Sequence, residues 1–168
     1  MKQTKDIVIA LVVGVVVLGG IVWFAKPFPS SPTSGRTGSD LAAMLVAPES
    51  SFDFGTISMA AGNVSRRFPI QAAANETAVV EKIYTSCMCT TATLLNGENR
   101  FGPYGMPGHG FIPKLREEIK PGGEAVIEVV FDPAAHGPAG IGPVERSVIV
   151  ETTSGGQLEL RFRAVVTP

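Results

Sequence analysis

The sequence predicts an all-β domain, a two-sheet antiparallel β-sandwich, preceded by one N-terminal transmembrane helix. Three observations carry this prediction. Beyond residue 40, apolar side chains recur at every second position, which is the period of a half-buried strand. Turn-forming dipeptides separate these short runs, and no convincing amphipathic helix lies among them. Before residue 26 stands an uncharged apolar stretch, Ile7 to Ala25.

That stretch comes first in the chain. A helix needs about 20 apolar residues to cross a bilayer, and Ile7 to Ala25 is long enough. Lys2 and Lys5 precede it and favour an N-terminus on the inside, while Trp23 sits where an interfacial aromatic belongs. A cleaved signal peptide would have an apolar region of about 7 to 15 residues ending at a small-x-small site. Here the run is longer and leaves through Ala25-Lys26-Pro27-Phe28-Pro29, so an uncleaved signal-anchor is expected. Residues 1–25 are then the anchor. Residues 26–40, KPFPSSPTSGRTGSD, read as a flexible Pro/Ser/Gly tether, and 41–168 as one domain. The expected location is the cytoplasmic membrane, single-pass, with the C-terminal domain outside the cytoplasm, periplasmic or extracellular.

Within the domain, Leu158, Leu160, Phe162 and Ala164 alternate with Glu159, Arg161 and Arg163. Ala125, Ile127, Val129 and Phe131 repeat the pattern. Val64, Phe68 and Ile70 give a weaker one, and Val79 to Thr85 and Arg146 to Thr152 add runs rich in β-branched residues. Turns are marked by Ala61-Gly62-Asn63, Ala74-Asn75, Pro121-Gly122-Gly123, Asp132-Pro133 and Ser154-Gly155-Gly156. The expected core is Phe68, Ile127, Val129, Phe131, Val148, Leu160 and Phe162. Leu95 to Lys120 reads as one long inserted loop, too long for an ordinary hairpin.

Composition narrows the function. The chain has 168 residues, is 45% hydrophobic and carries a net charge of -1, with its basic residues scattered, so it offers no stripe for nucleic acid. There is no Gly-x-Ser-x-Gly elbow, no P-loop and no His-Glu-x-x-His string, and an enzyme is not expected.

Both cysteines of the chain stand one residue apart, in Thr85-Ser86-Cys87-Met88-Cys89-Thr90-Thr91. On an extended strand they would face the same side with Cα atoms about 6.6 Å apart, near the upper limit for a disulfide. A disulfide therefore needs a bend, whereas a metal ion could fill the gap. The pair is expected at the end of a strand with the inserted loop folded over it. That loop carries Met106 and His109, and two thiolates, a thioether and an imidazole form a soft donor set suited to copper(I). Three readings stay open: a structural pair, oxidised or packed; a metal site of Cys87, Cys89, Met106 and His109; and thiol–disulfide exchange. His136, just after Asp132-Pro133, reads as a polar loop residue.

The order Phe52-Asp53-Phe54-Gly55-Thr56-Ile57, Phe68, Ser86-Cys87-Met88-Cys89-Thr90, Pro121-Gly122-Gly123, Phe131-Asp132-Pro133 and His136-Gly137 resembles the bacterial domain-of-unknown-function family fifteen-seventy-three. The resemblance runs from about Leu45 to Val166, and the Ser-Cys-x-Cys-Thr string is its most specific element. It implies an extracytoplasmic, immunoglobulin-like sandwich, related in architecture to hydin-type and major-sperm-protein-type modules. The family usually has Gly where this chain has Met88, and it supplies no activity. An interaction or accessory module docking on another membrane or envelope protein is the expected function, with copper(I) handling and redox exchange as alternatives.

The topology is directly testable. Protease added to the cytoplasmic face of oriented membrane vesicles is expected to leave the C-terminal domain intact; digestion from that face would overturn the assignment.

Overall fold

The computed structural model describes residues 44–168. The expected anchor and tether, 1–25 and 26–40, lie outside the described residues. Among the described residues no helix is long and apolar enough to cross a membrane. They form ten strands: β1 Leu45–Val46, β2 Ser51–Ser58, β3 Val64–Ala72, β4 Ala78–Thr85, β5 Thr90–Asn96, β6 Asn99–Tyr104, β7 Glu117–Ile119, β8 Glu124–Phe131, β9 Gly142–Thr152 and β10 Gln157–Thr167. Two five-stranded sheets result, in the orders β1-β3-β8-β5-β6 and β2-β10-β9-β4-β7.

Alternation in the sequence becomes alternation in burial. Leu160, Phe162, Ala164 and Val166 of β10 are buried, while Glu159, Arg161, Arg163 and Val165 face water. All seven expected core residues are no more than 2% exposed. The two sheets close on one another through them. Phe131 of β8 meets Phe162 of β10 across the layers with ring centroids 5.2 Å apart, and within the second sheet Phe54 of β2 meets Phe162 edge-on at 5.4 Å. One apolar cluster drawn from both layers fills the sandwich.

The structure corrects the sequence reading in two places. The sheets are not wholly antiparallel, because β2 lies parallel to β10. Side-chain alternation records which face of a strand is buried and carries no information on the direction of its neighbour. Within this pair Arg163 faces Asp53 and Val165 faces Thr56, so β2 holds one extra residue. Gly55 supplies the bulge with φ +68°, and the Asp53 carboxylate accepts from its N–H at 2.8 Å.

The second correction concerns Leu95 to Lys120, which is not a single loop. It contains β6 and β7. Asn96 and Asn99 pair across the two-residue turn Gly97-Glu98, so β5 and β6 form a tight hairpin. Near its far end, β6 bulges at Gly102, where a Cβ would stand 2.9 Å from the Ala92 carbonyl oxygen and only glycine fits. β7 adds to the edge of β4, with Ala78 opposite Ile119. Only Gly105 to Arg116 remains without regular structure.

Phe162 lies at the centre of this packing. Phe162→Ala is expected to cost about 3 to 5 kcal/mol of stability in urea unfolding. A loss below about 1 kcal/mol would remove Phe162 from the core.

Candidate functional site

β4 ends in one sheet at Thr85 and β5 begins in the other at Thr90, so Ser86 to Cys89 is a crossing between layers. Cys87 and Cys89 are thus at the end of a strand, as expected, but in a turn and not on an extended segment. Thr90 N–H donates to the Cys87 carbonyl at 3.2 Å and closes the turn. The buried Thr85 hydroxyl stands 2.9 Å from the Cys87 carbonyl oxygen and 3.0 Å from that of Thr90. Ser86 and Ser147 tie the turn to β9: Ser86 N–H donates to the Ser147 carbonyl, and Ser147 N–H to the Ser86 hydroxyl, both at 2.9 Å.

A second crossing, from β8 to β9, arrives at the same end of the sandwich. Asp132 N–H donates to the Cys89 carbonyl at 2.8 Å and joins the two crossings. The Asp132 carboxylate accepts from Ala134 N–H at 2.8 Å, an Asx turn that leads into His136. His136 caps the short 3-10 turn Gly137–Gly140. Its Nε2 stands 3.2 Å from Cys87 Sγ. From β9, Arg146 Nε donates to Cys89 Sγ at 3.3 Å.

Cys87, Cys89 and His136 therefore present two sulfurs and an imidazole nitrogen within 4.8 Å of one another, a group able to hold a metal ion. His109 is not part of it. His109 and Met106 line a separate pocket of about 400 Å³ together with Met88, Pro103, Phe111 and Ile112. The inserted segment does reach the cysteine turn, since Thr85 N–H donates to the Gly105 carbonyl at 3.1 Å. It packs beside Met88 and leaves the sulfurs to His136. The sequence places His136 49 residues from Cys87. Only the pairing of β5 with β8, which sets Thr90 opposite Phe131, brings them together.

The two thiols differ in acidity. Burial pushes the Cys87 thiol up, but hydrogen bonds from the Cys89 thiol, the Cys89 N–H and His136, with the Arg146 charge, outweigh it and bring it from 9.0 down to about 7. Cys89, only 3% exposed, is raised by burial and by its neighbour Cys87, against the pull of Arg146 and Thr90. Cys87 therefore loses its proton first, with the Cys89 S–H donating to the Cys87 sulfur at 2.7 Å. That separation lies between two chemistries. Sulfurs each about 2.3 Å from one ion stand about 3.8 to 4.0 Å apart, and a disulfide needs about 2.05 Å. The turn must open by about 1 Å for the first or close by about 0.7 Å for the second.

No family model matches the chain, and no curated protein matches it. Among solved structures, a protein of unknown function from Porphyromonas gingivalis W83 is similar at a TM-score of 0.52 and 14% identity, over 75% of this chain and 50% of that one. The secreted serine protease VesC from Vibrio cholerae gives 0.48 at 10% identity, over 77% of this chain and 25% of that one. The PapD-like domain 7 of human CEP192 gives 0.43 at 10%, over 84% and 97%. This chain thus spans half of the Porphyromonas protein, and the likeness to it is one of fold.

Proposed function

We propose that this is an extracytoplasmic, membrane-tethered accessory module of immunoglobulin-like type that takes up copper(I) at Cys87, Cys89 and His136 and presents it to a membrane or envelope partner. The observation that carries this reading is the convergence of three soft or borderline donors with the Arg146 guanidinium on Cys89. Thiolates select copper(I) and zinc over hard cations. Charge separates these two. Two thiolates, a monovalent ion and one guanidinium sum to zero, whereas a divalent ion leaves an uncompensated positive charge beside Arg146. A structural zinc ion also takes four protein ligands, and the cluster of Cys87, Cys89 and His136 offers three. His136 is exposed, so a partner can reach the ion from solvent.

A second reading rests on the unequal acidity of the thiols. In thiol–disulfide exchange the Cys87 thiolate would attack a partner's disulfide and expel one partner thiolate. Cys89, after losing its proton, would then displace the second, leaving a Cys87–Cys89 disulfide and a reduced partner.

In the full-length chain purified anaerobically in detergent, one tightly held copper(I) is expected in competition with a copper(I) chelator. Cys87→Ser/Cys89→Ser should abolish it. His136→Ala should weaken it by more than the roughly 10- to 100-fold typical of outer-shell partners, and His109→Ala should leave it intact. Equal retention by wild type and the double serine variant would eliminate the site, and two oxidised sulfurs without metal would favour the exchange reading.

The acidity has its own signature. Alkylation of reduced, metal-free protein by iodoacetamide should follow a midpoint near the lowered Cys87 value of about 7. Arg146→Ala should move that midpoint upward. Because folding lowers this group from 9.0, its stabilising contribution is full above that pH and is lost as pH falls through about 7. A midpoint near 9 in the wild type would show that His136 and Arg146 do not act on the thiol.

A further inference from the structure

Met88 lies between the two ligand cysteines and is half exposed, at 50%. Its side chain lines the pocket of about 400 Å³ shared with Met106 and His109. These three donors come from two separate segments. Met88 is carried by the layer crossing, and Met106 and His109 by the strandless stretch after β6, where His109 N–H donates to the Met106 carbonyl at 3.2 Å and folds the stretch into a turn. The Thr85 N–H to Gly105 carbonyl bond holds the stretch against the crossing. The rest of the lining is Pro103, Gly105, Gly110, Phe111 and Ile112, with Phe111 89% exposed. Two thioethers and an imidazole form a soft donor set, which favours a soft cation over magnesium and calcium, the ions that require oxygen ligands. It suits a soft monovalent ion held weakly, without thiolate charge.

We infer that Met88, Met106 and His109 form a second, weaker site for a soft monovalent cation, from which the ion passes to Cys87 and Cys89. Met88 links the two sites covalently: one peptide bond on either side of it leads to a ligand of the tight site. The transfer is a ligand exchange without redox change. Thioether bonds to the ion are replaced by thiolate bonds, and the proton still on Cys89 goes to solvent. Only the hand-over rests on the copper reading of the cysteines; the weak site stands on its own donors.

Silver(I), a redox-inert monovalent probe, separates the two. It is added to the full-length Cys87→Ser/Cys89→Ser chain in detergent, with the five methionines labelled at their methyl carbons. The methyl signals of Met88 and Met106 are expected to shift together, while those of Met1, Met44 and Met59 stay in place. Adding Met106→Leu/His109→Ala should weaken the Met88 response about tenfold or more. Unmoved Met88 and Met106 signals at saturating silver, or a Met88 response indifferent to the other two donors, would overturn the weak site whatever the cysteines do. In the chain with its cysteines intact, Met106→Leu/His109→Ala should slow silver loading of the tight site severalfold without changing its final occupancy. An unchanged loading rate would overturn the hand-over.

Discussion

The hydrogen bond from Asp132 N–H to the Cys89 carbonyl, 2.8 Å long, is the interaction on which the rest of the site depends. It continues the β5–β8 ladder past its last strand pair, Thr90 with Phe131. Both strands then leave their sheet at the same level. One becomes the cysteine turn and the other the Asx turn that carries His136. In a two-layer sandwich every change of sheet has to happen at an end, because the middle is closed by packed side chains such as Phe131 and Phe162. Two crossings at one end therefore set residues distant in sequence side by side, and the polar backbone groups freed there are satisfied by each other. A site built this way inherits the stiffness of the core beneath it without being buried in it.

Electrostatics then distinguishes two sulfurs that the sequence cannot tell apart. Cys89 points inward and meets Arg146, whereas Cys87 lies nearer the surface and meets His136. Burial acts against the charged form of both, and the arriving hydrogen bonds settle which sulfur carries the charge. Arg146 is itself partly buried beside Cys89, and its proton is held more firmly by the sulfurs it faces, although burial works against it. The guanidinium and the first thiolate thus stabilise one another before any ion arrives.

The fold was legible in the sequence wherever burial is one-sided. β8 and β10 follow from their alternation because each shows one face to the core and one to water. The parallel β2–β10 pair was not legible, since direction is decided by where the chain crosses between sheets. β6 was hidden for a different reason: its burial runs exposed, exposed, intermediate, exposed, exposed, buried, so it has almost no apolar period, and its one local signal is the turn at Gly97-Glu98. In the site, Cys87 and Cys89 were legible from spacing alone. Nearness in sequence favours His109 over His136, a criterion that loses its force once β5 and β8 are neighbours. Pairing the strand after Cys89 with the strand before Asp132 would have found His136.

The same geometry explains why Met106 and His109 were drawn to the cysteines and yet do not reach them. The β6 bulge at Gly102 and the tie from Gly105 to Thr85 bring the segment to the outer side of the crossing. His136 reaches the crossing from the β8–β9 connection and takes the place beside Cys87. With Cys87 and Cys89 turned toward His136 and Arg146, Met88 is directed to the other side, where the segment lies. A short turn whose successive residues serve different neighbours can thus present unlike donors on its two sides, thiols toward His136 and Arg146 and a thioether toward Met106 and His109. The thiolate set is rigid because it is anchored to two crossings. The thioether segment is held to β4 at both ends, by Thr85 N–H to the Gly105 carbonyl at 3.1 Å and by Leu115 N–H to the Glu81 carbonyl at 2.7 Å.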